Sequence, residues 1–202
     1  MLDIYKYSKK NWIYNFIFTK ILKINIDCLS LPFIHKENID LEFNETFFYN
    51  YQENNPITKW SGDINNKKHH YQSDHNLQKL KSLQKPIKTL ENILNNKIKY
   101  KIFGKNTAGR FKIKNIWFTI QKENEGVSLH NHPKSILSGV FYFKVDKDMG
   151  GGLNLHLQDK KIKYKPQKND LIMFNSDVLH SVDPYFGRND RISIAWDSIY
   201  TF

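Results

Sequence analysis

A chain of 202 residues that is 40% hydrophobic and 14% aromatic can bury a sizeable core, which excludes disorder and suits a single domain. The formal charge of +11 would ordinarily invite a nucleic-acid partner, but all 31 basic residues except Arg110, Arg188 and Arg191 are Lys. Asn and Ile are abundant too, as an AT-rich coding sequence produces, so we read a solvated Lys-rich surface and no nucleic-acid patch.

The single Cys28 rules out an internal disulfide framework and suits a reducing, cytoplasmic compartment. Trp12–Ile26 is apolar and aromatic, but Asn15, Lys20 and Lys23 interrupt it. It is too broken to span a membrane, and no small-residue cleavage site follows it, so a core strand or helix is expected there. Residues 31–75 are polar and aromatic by turns. From Leu77 the spacing becomes helical: Leu77, Leu80 and Leu83 form one stripe, then Ile87, Leu90, Ile93 and Leu94 form another. Pro86 is expected as the first residue of the second helix. These helices should form a layer on the back of a sheet.

From residue 98 the signature is β. Ile113–Gln121, Ser138–Val145, Leu153–Leu157, Leu171–Asn175 and Arg191–Ser198 are short runs rich in apolar, β-branched and aromatic residues. Turn material separates them, notably Gly150-Gly151-Gly152 and Gly187-Arg188-Asn189-Asp190. The expectation is one domain over 1–202, mainly β with flanking α. Residues 1–97 would supply N-terminal strands and supporting helices, and 98–202 a double-sheet core with a mouth between its sheets.

Within that core, His130 and His132 share parity, so on an extended strand both can face one metal. Pro133 ends ladder bonding just beyond them, as at a sheet mouth. His180 follows the apolar run Leu171–Phe174 and precedes Arg191, with Ser193 on the same face as that arginine. Two close histidines, a distant third and a following arginine suggest a facial metal site beside a carboxylate-binding pocket. In a chain that uses Lys almost everywhere, Arg191 supplies the planar fork that suits a carboxylate, although a salt bridge to Asp190 or Asp197 would also explain it. His35, His69, His70 and His75 lie in polar surroundings and are read as outside the chemistry. His156 is read as a partly buried strand residue.

These residues resemble the Fe(II)- and 2-oxoglutarate-dependent oxygenases, and more narrowly a group of small oxygenase-like proteins of marine bacteria and their phages. The resemblance runs over roughly residues 70–198. It includes His70-Tyr71-Gln72-Ser73-Asp74, Asn115-Ile116-Trp117, His130-Asn131-His132-Pro133 and Ser138-Gly139-Val140-Phe141-Tyr142. It closes with Asp170-Leu171-Ile172-Met173-Phe174, Leu179-His180-Ser181-Val182 and Arg191-Ile192-Ser193-Ile194.

The resemblance implies a double-stranded β-helix, a jelly roll of cupin type, and a dioxygenase of hydroxylase class using Fe(II), 2-oxoglutarate and O2. It implies His130, His132 and His180 as metal ligands. Arg191, Ser193 and Tyr142 would hold the distal carboxylate of 2-oxoglutarate, and Trp117 would form a cavity wall. Position 132 departs from the superfamily's usual carboxylate. Fe²⁺ with a carboxylate and a dianionic cosubstrate sums to −1, whereas three neutral imidazoles leave the sum at zero. Three histidines with an open position also describe a hydrolytic zinc site. Two rival readings stay open: a cupin-like metalloenzyme without 2-oxoglutarate, which leaves Arg191 and Ser193 unexplained, and a non-catalytic metal-binding protein. The substrate and the oligomeric state are not legible.

Overall fold

The computed structural model describes residues 33–56, 70–104 and 107–202, and Trp12–Ile26 lies outside them. Strand β1 (Ile34–Asn38), helix α1 (Glu45–Asn54) and strand β2 (Tyr71–Gln72) come first. Helix α2 (Gln84–Ile93) continues through a π turn at Leu94–Ile98 into α3 (Lys99–Phe103). Eight strands follow: β3 (Arg110–Gln121), β4 (Val127–His130), β5 (Leu137–Lys144), β6 (Leu153–His156), β7 (Lys161–Tyr164), β8 (Asp170–Asn175), β9 (Leu179–Val182) and β10 (Arg191–Thr201).

They form a six-stranded sheet, β1-β8-β5-β10-β3-β2, and a four-stranded sheet, β4-β9-β6-β7. Every pair of named strands is antiparallel. This is the expected mainly β architecture, a double-stranded β-helix.

Period-two alternation sorts the larger sheet into two faces. Along β10, Ile192, Ile194 and Trp196 join the core shared with the helices, while Arg191, Ser193 and Ala195 line the cavity between the sheets. Along β5, Leu137 and Phe141 face the helices, whereas Ser138, Val140 and Tyr142 face the cavity. Strand β3 follows the same rule with Phe118 and Ile120 outward and Trp117, Thr119 and Gln121 inward. Its register against β10 skips Lys114, a bulge that reverses the parity of the preceding residues. Gly139 lies opposite Trp196, and any side chain there would collide with the indole.

The helical layer is built as the spacing predicts. Ile87, Leu90, Leu94 and Ile98 are buried together with Phe111, Ile113 and Ile116 of β3. Burying each such side chain contributes roughly 1.5–3 kcal/mol, enough to dock the layer on the sheet.

Two details differ from expectation. Residues 77–83 are not one helix but two 3-10 turns, Leu77–Lys79 and Lys81–Leu83, separated by an extended Leu80 with φ −76 and ψ 131. Tertiary bonds hold this segment: the Asn76 backbone bridges to Ile116, and Gln78 Nε2 donates to Lys114 O at 2.9 Å. Helix α2 starts at Gln84, which places Pro86 inside its first turn. The missing N–H of Pro86 still falls among donors with no intrahelical acceptor, so the proline is tolerated there.

Candidate active site

Strands β4 and β9 are neighbours, and their register pairs His130 directly with His180. The long sequence gap between the two histidines thus closes to a ring separation of 4.2 Å. His132 lies two residues beyond β4. Its backbone N–H donates to Ser176 O at 2.8 Å, and its Nε2 comes to rest 3.2 Å from Nε2 of His180.

Each ring turns its Nδ1 toward an oxygen. His130 faces Ser128 O at 2.8 Å, His180 faces Val178 O at 2.9 Å, and His132 faces the Asp197 carboxylate at 3.2 Å. Carbonyl and carboxylate oxygens only accept, so each Nδ1 carries a proton and Nε2 is the nitrogen each ring leaves for a metal. One ligand atom from each histidine can be chosen so that all three lie within 4.8 Å of one another. Nitrogens about 2.1 Å from one ion lie roughly 3.0–3.4 Å apart at octahedral to tetrahedral angles, so the donor set suits a divalent ion.

Burial favours the neutral form of His180 and His130, the form a ligand must have. It pushes the His180 pKa down to about 3, with the neighbouring His130 adding to the effect. Burial also lowers His130, partly offset by its bond to Ser128 O. In the metal-free protein the sign follows directly. Unfolded His180 binds a proton near 6.5 and folded His180 only near 3, so the unfolded state holds more protons between those values. Stability is therefore expected to fall as pH drops through this window, by on the order of 2 kcal/mol from this residue at pH 5. Urea unfolding at pH 7 and pH 5 checks it: the His180→Ala variant should lose less stability between the two than the parent chain.

At the other end of the cavity Arg191 is 1% exposed. Its Nη1 donates to Gln121 Oε1 and, at 3.4 Å, to Ser193 Oγ, and its Nη2 donates to Gly151 O at 3.2 Å. The guanidinium carbon lies 5.0 Å from the centroid of the Tyr142 ring. Arg191 Nε and the Tyr142 hydroxyl are both buried without a hydrogen-bond partner. Burial lowers the Arg191 pKa and pushes that of Tyr142 up to about 12. Among the described residues no carboxylate pairs with Arg191. Asp197, one expected alternative partner, is turned to His132 instead.

One cavity of about 580 Å³, its open mouth included, joins the two ends. All six residues singled out in the sequence, His130, His132, His180, Tyr142, Arg191 and Ser193, line it. So does Trp117, the expected wall, which is stacked on His132 at 5.4 Å.

Several site residues lay outside the sequence reading. Gln121 and Thr119 reach the arginine end, the latter 2.8 Å from Ser193 Oγ, and their shared parity with Trp117 was the available signal. His75, read as outside the site, stacks on Trp117 at 4.4 Å, and Gln72 Nε2 lies 2.7 Å from its Nε2. His156 is the partly buried strand residue expected, near Ser181 Oγ at 3.4 Å.

Residues 119–196, which hold all six, match the family model described as the 2OG-Fe(II) oxygenase superfamily. This part of the chain is similar to that superfamily. The chain shares its fold with solved prolyl hydroxylases. One from Trichoplax adhaerens, in complex with a hypoxia inducible factor oxygen degradation domain peptide fragment, superposes with a TM-score of 0.58 at 14% identity, covering 88% of this chain and 89% of that one. A Pseudomonas putida prolyl-4-hydroxylase gives 0.56 at 13%, covering 86% and 96%. The viral collagen prolyl hydroxylase from Paramecium Bursaria Chlorella virus-1, in its 2OG complex, gives 0.56 at 16%, covering 83% and 96%. No curated protein matches the sequence. The matched family is named for Fe(II) and 2-oxoglutarate (2OG), and the three-histidine cluster of this chain suits an iron ion. Among the described residues no helix is long and apolar enough to cross a membrane.

Proposed function

We propose that the enzyme hydroxylates a C–H bond of a substrate yet to be identified, with His130, His132 and His180 holding Fe(II) and Arg191 binding the distal carboxylate of 2-oxoglutarate. One observation carries this reading. A fully buried guanidinium without an acidic partner among the described residues shares a cavity with three converging imidazoles. A buried charge of that kind calls for a counter-ion, and a dicarboxylate anchored at one end and bound to metal at the other supplies it. Arg191 Nε and the Tyr142 hydroxyl, which interact with each other but satisfy no other group, are donors available to that anion. The cupin-like rival leaves both without a purpose.

When bound, iron, 2-oxoglutarate and O2 together supply oxidative decarboxylation to succinate and CO2 coupled to insertion of one oxygen atom into a C–H bond. The chain's own residues bind, orient and exclude water. Gln121 and Gly151 O hold the guanidinium in place, and Ser193, bonded to Thr119, adds a hydroxyl beside it. The Tyr142 ring lies against the guanidinium, and with its pKa near 12 the hydroxyl stays a donor at neutral pH. Leu153, Phe174 and Val182 form an apolar wall that keeps bulk water from the interior. Trp117 limits the position of His132 from one side.

In the same proposal residues 1–202 act as one domain whose site lies in 98–202, working in a reducing cytoplasm in keeping with the single Cys28. The hydroxylase fold of the three prolyl hydroxylases supports C–H hydroxylation as the outcome.

The test is anaerobic reconstitution with Fe(II) followed by 2-oxoglutarate. A weak visible charge-transfer band should develop, and O2 should then release succinate, slowly in the absence of the prime substrate. Tight zinc binding with neither band nor succinate would replace this reading with a hydrolytic or structural one.

A further inference from the structure

Asp197 has the charge that the three histidines lack. It is 4% exposed, and its two oxygens have two partners: His132 Nδ1 at 3.2 Å and the Ser138 hydroxyl, which donates at 2.7 Å. Among the described residues no lysine or arginine pairs with it. A carboxylate buried without a cation is strongly disfavoured unless a positive charge lies close by. A divalent ion on Nε2 of His132 would be that charge, one imidazole ring away.

The surrounding structure aims this carboxylate. Asp197 shares the cavity-side parity of Arg191, Ser193 and Ala195 on β10, and it lies opposite Ser138 in the β5 register. The register against β3 shifts immediately after it, and a bulge there increases local twist and re-aims side chains. The His132 ring is stacked between Trp117 at 5.4 Å and His180 at 5.0 Å, with interplanar angles of 25° and 14°. Its plane is thereby set by packing, and the acceptor at Nδ1 decides which nitrogen keeps a lone pair. His130 and His180 have neutral carbonyls in that role, so His132 alone has a charged acceptor. A carboxylate hydrogen-bonded to one imidazole nitrogen makes the other a stronger donor to metal.

We propose that Asp197 is a positioning residue for the metal centre, supplying through His132 the negative charge that its three neutral ligands lack. This rests on the three-histidine metal site proposed above. Loss of such an outer partner typically weakens metal binding about 10–100-fold. The full-length protein should be titrated anaerobically with Co(II), read by its d–d absorption, alongside urea unfolding of the metal-free form. Asp197→Asn keeps the shape and an acceptor oxygen but removes the charge. It should bind Co(II) about 10–100-fold more weakly. The double variant His132→Asp, Asp197→Asn moves the carboxylate to the ligand position and should recover most of that loss, which a merely structural role would not predict.

A second measurement needs no variant. In the Zn(II)-loaded parent protein, the Nδ1 proton of His132 should be the farthest downfield of the three imidazole protons in ¹H–¹⁵N correlation spectra. If Asp197→Asn binds Co(II) as tightly as the parent, or the His132 proton resonates with the other two, Asp197 has no such role, while the metal site itself stands. If the parent chain binds no Co(II) through these histidines, the metal site falls and this role with it.

Discussion

The His180→Ala variant is expected to lose metal binding and 2-oxoglutarate turnover together. Its ring occupies the centre of the cluster: it faces His130 across the β4–β9 register, and its Nε2 lies 3.2 Å from that of His132. Structural zinc sites gain about 10–16 kcal/mol from a full set of ligands, or roughly 3 kcal/mol per ligand. Removing one of three should therefore weaken binding by at least about a hundredfold. The fold should survive, because His180 belongs to neither apolar core, although Phe174 packs edge-on against its ring at 4.8 Å. Anaerobic Fe(II) titration, near-UV circular dichroism and succinate release check the three parts separately. Parental Fe(II) affinity in this variant would remove His180 from the ligand set.

Legibility in the sequence followed strand length and burial. Strands β3, β5, β6, β8 and β10 could be read because each carries a run of apolar residues long enough to show its period, and most are central in their sheets. Strand β7 was not read. Lys-Ile-Lys-Tyr alternates lysines with only two apolar residues, and it is an edge strand, where lysines are common and composition cannot separate the strand from a loop. Strand β1 is an edge of the other, six-stranded sheet and carries ion pairs, with Lys36 on Asp170 and Glu37 on Lys97. Strand β9 merged in sequence with β8, since only Asn175-Ser176-Asp177 separates two apolar stretches.

Helix α1 escaped notice because Phe47, Phe48, Tyr49 and Tyr51 read as mixed aromatic material, although Asn44 caps its first turn by accepting from Thr46 N at 3.0 Å. The site was far more legible than these edges. Spacing brings His130 and His132 near each other, although His132 lies beyond the end of β4 and not on a shared strand face, and parity places Arg191 and Ser193 on one face of β10. Parity also places Asp197 on that face, and six residues of extended strand hold it roughly 20 Å from Arg191. Its aim at His132 was not legible, because that contact depends on where the segment after β4 crosses β10.

The Arg191→Lys variant should separate cosubstrate binding from metal binding. Lysine keeps the positive charge but loses the planar fork, so paired hydrogen bonds to a carboxylate cannot form. The native guanidinium is held by Gln121 Oε1, Gly151 O and Ser193 Oγ while its Nε remains available, and one ammonium cannot reproduce that arrangement. It would leave the Gln121 amide oxygen or the Gly151 carbonyl short of a donor inside a closed wall. Loss of one charge-assisted bond costs on the order of 1.5–3 kcal/mol, so 2-oxoglutarate should bind roughly ten- to more than a hundredfold more weakly. Fe(II) affinity should barely change, because Arg191 lies at the far end of the cavity from the histidines and shares no hydrogen bond with them. The charge-transfer band, titrated with 2-oxoglutarate at saturating Fe(II), measures the first effect, and Fe(II) titration measures the second. If the variant keeps the parental 2-oxoglutarate dependence, Arg191 is not the anchor, and a cupin-like enzyme without cosubstrate becomes the better account of the cavity.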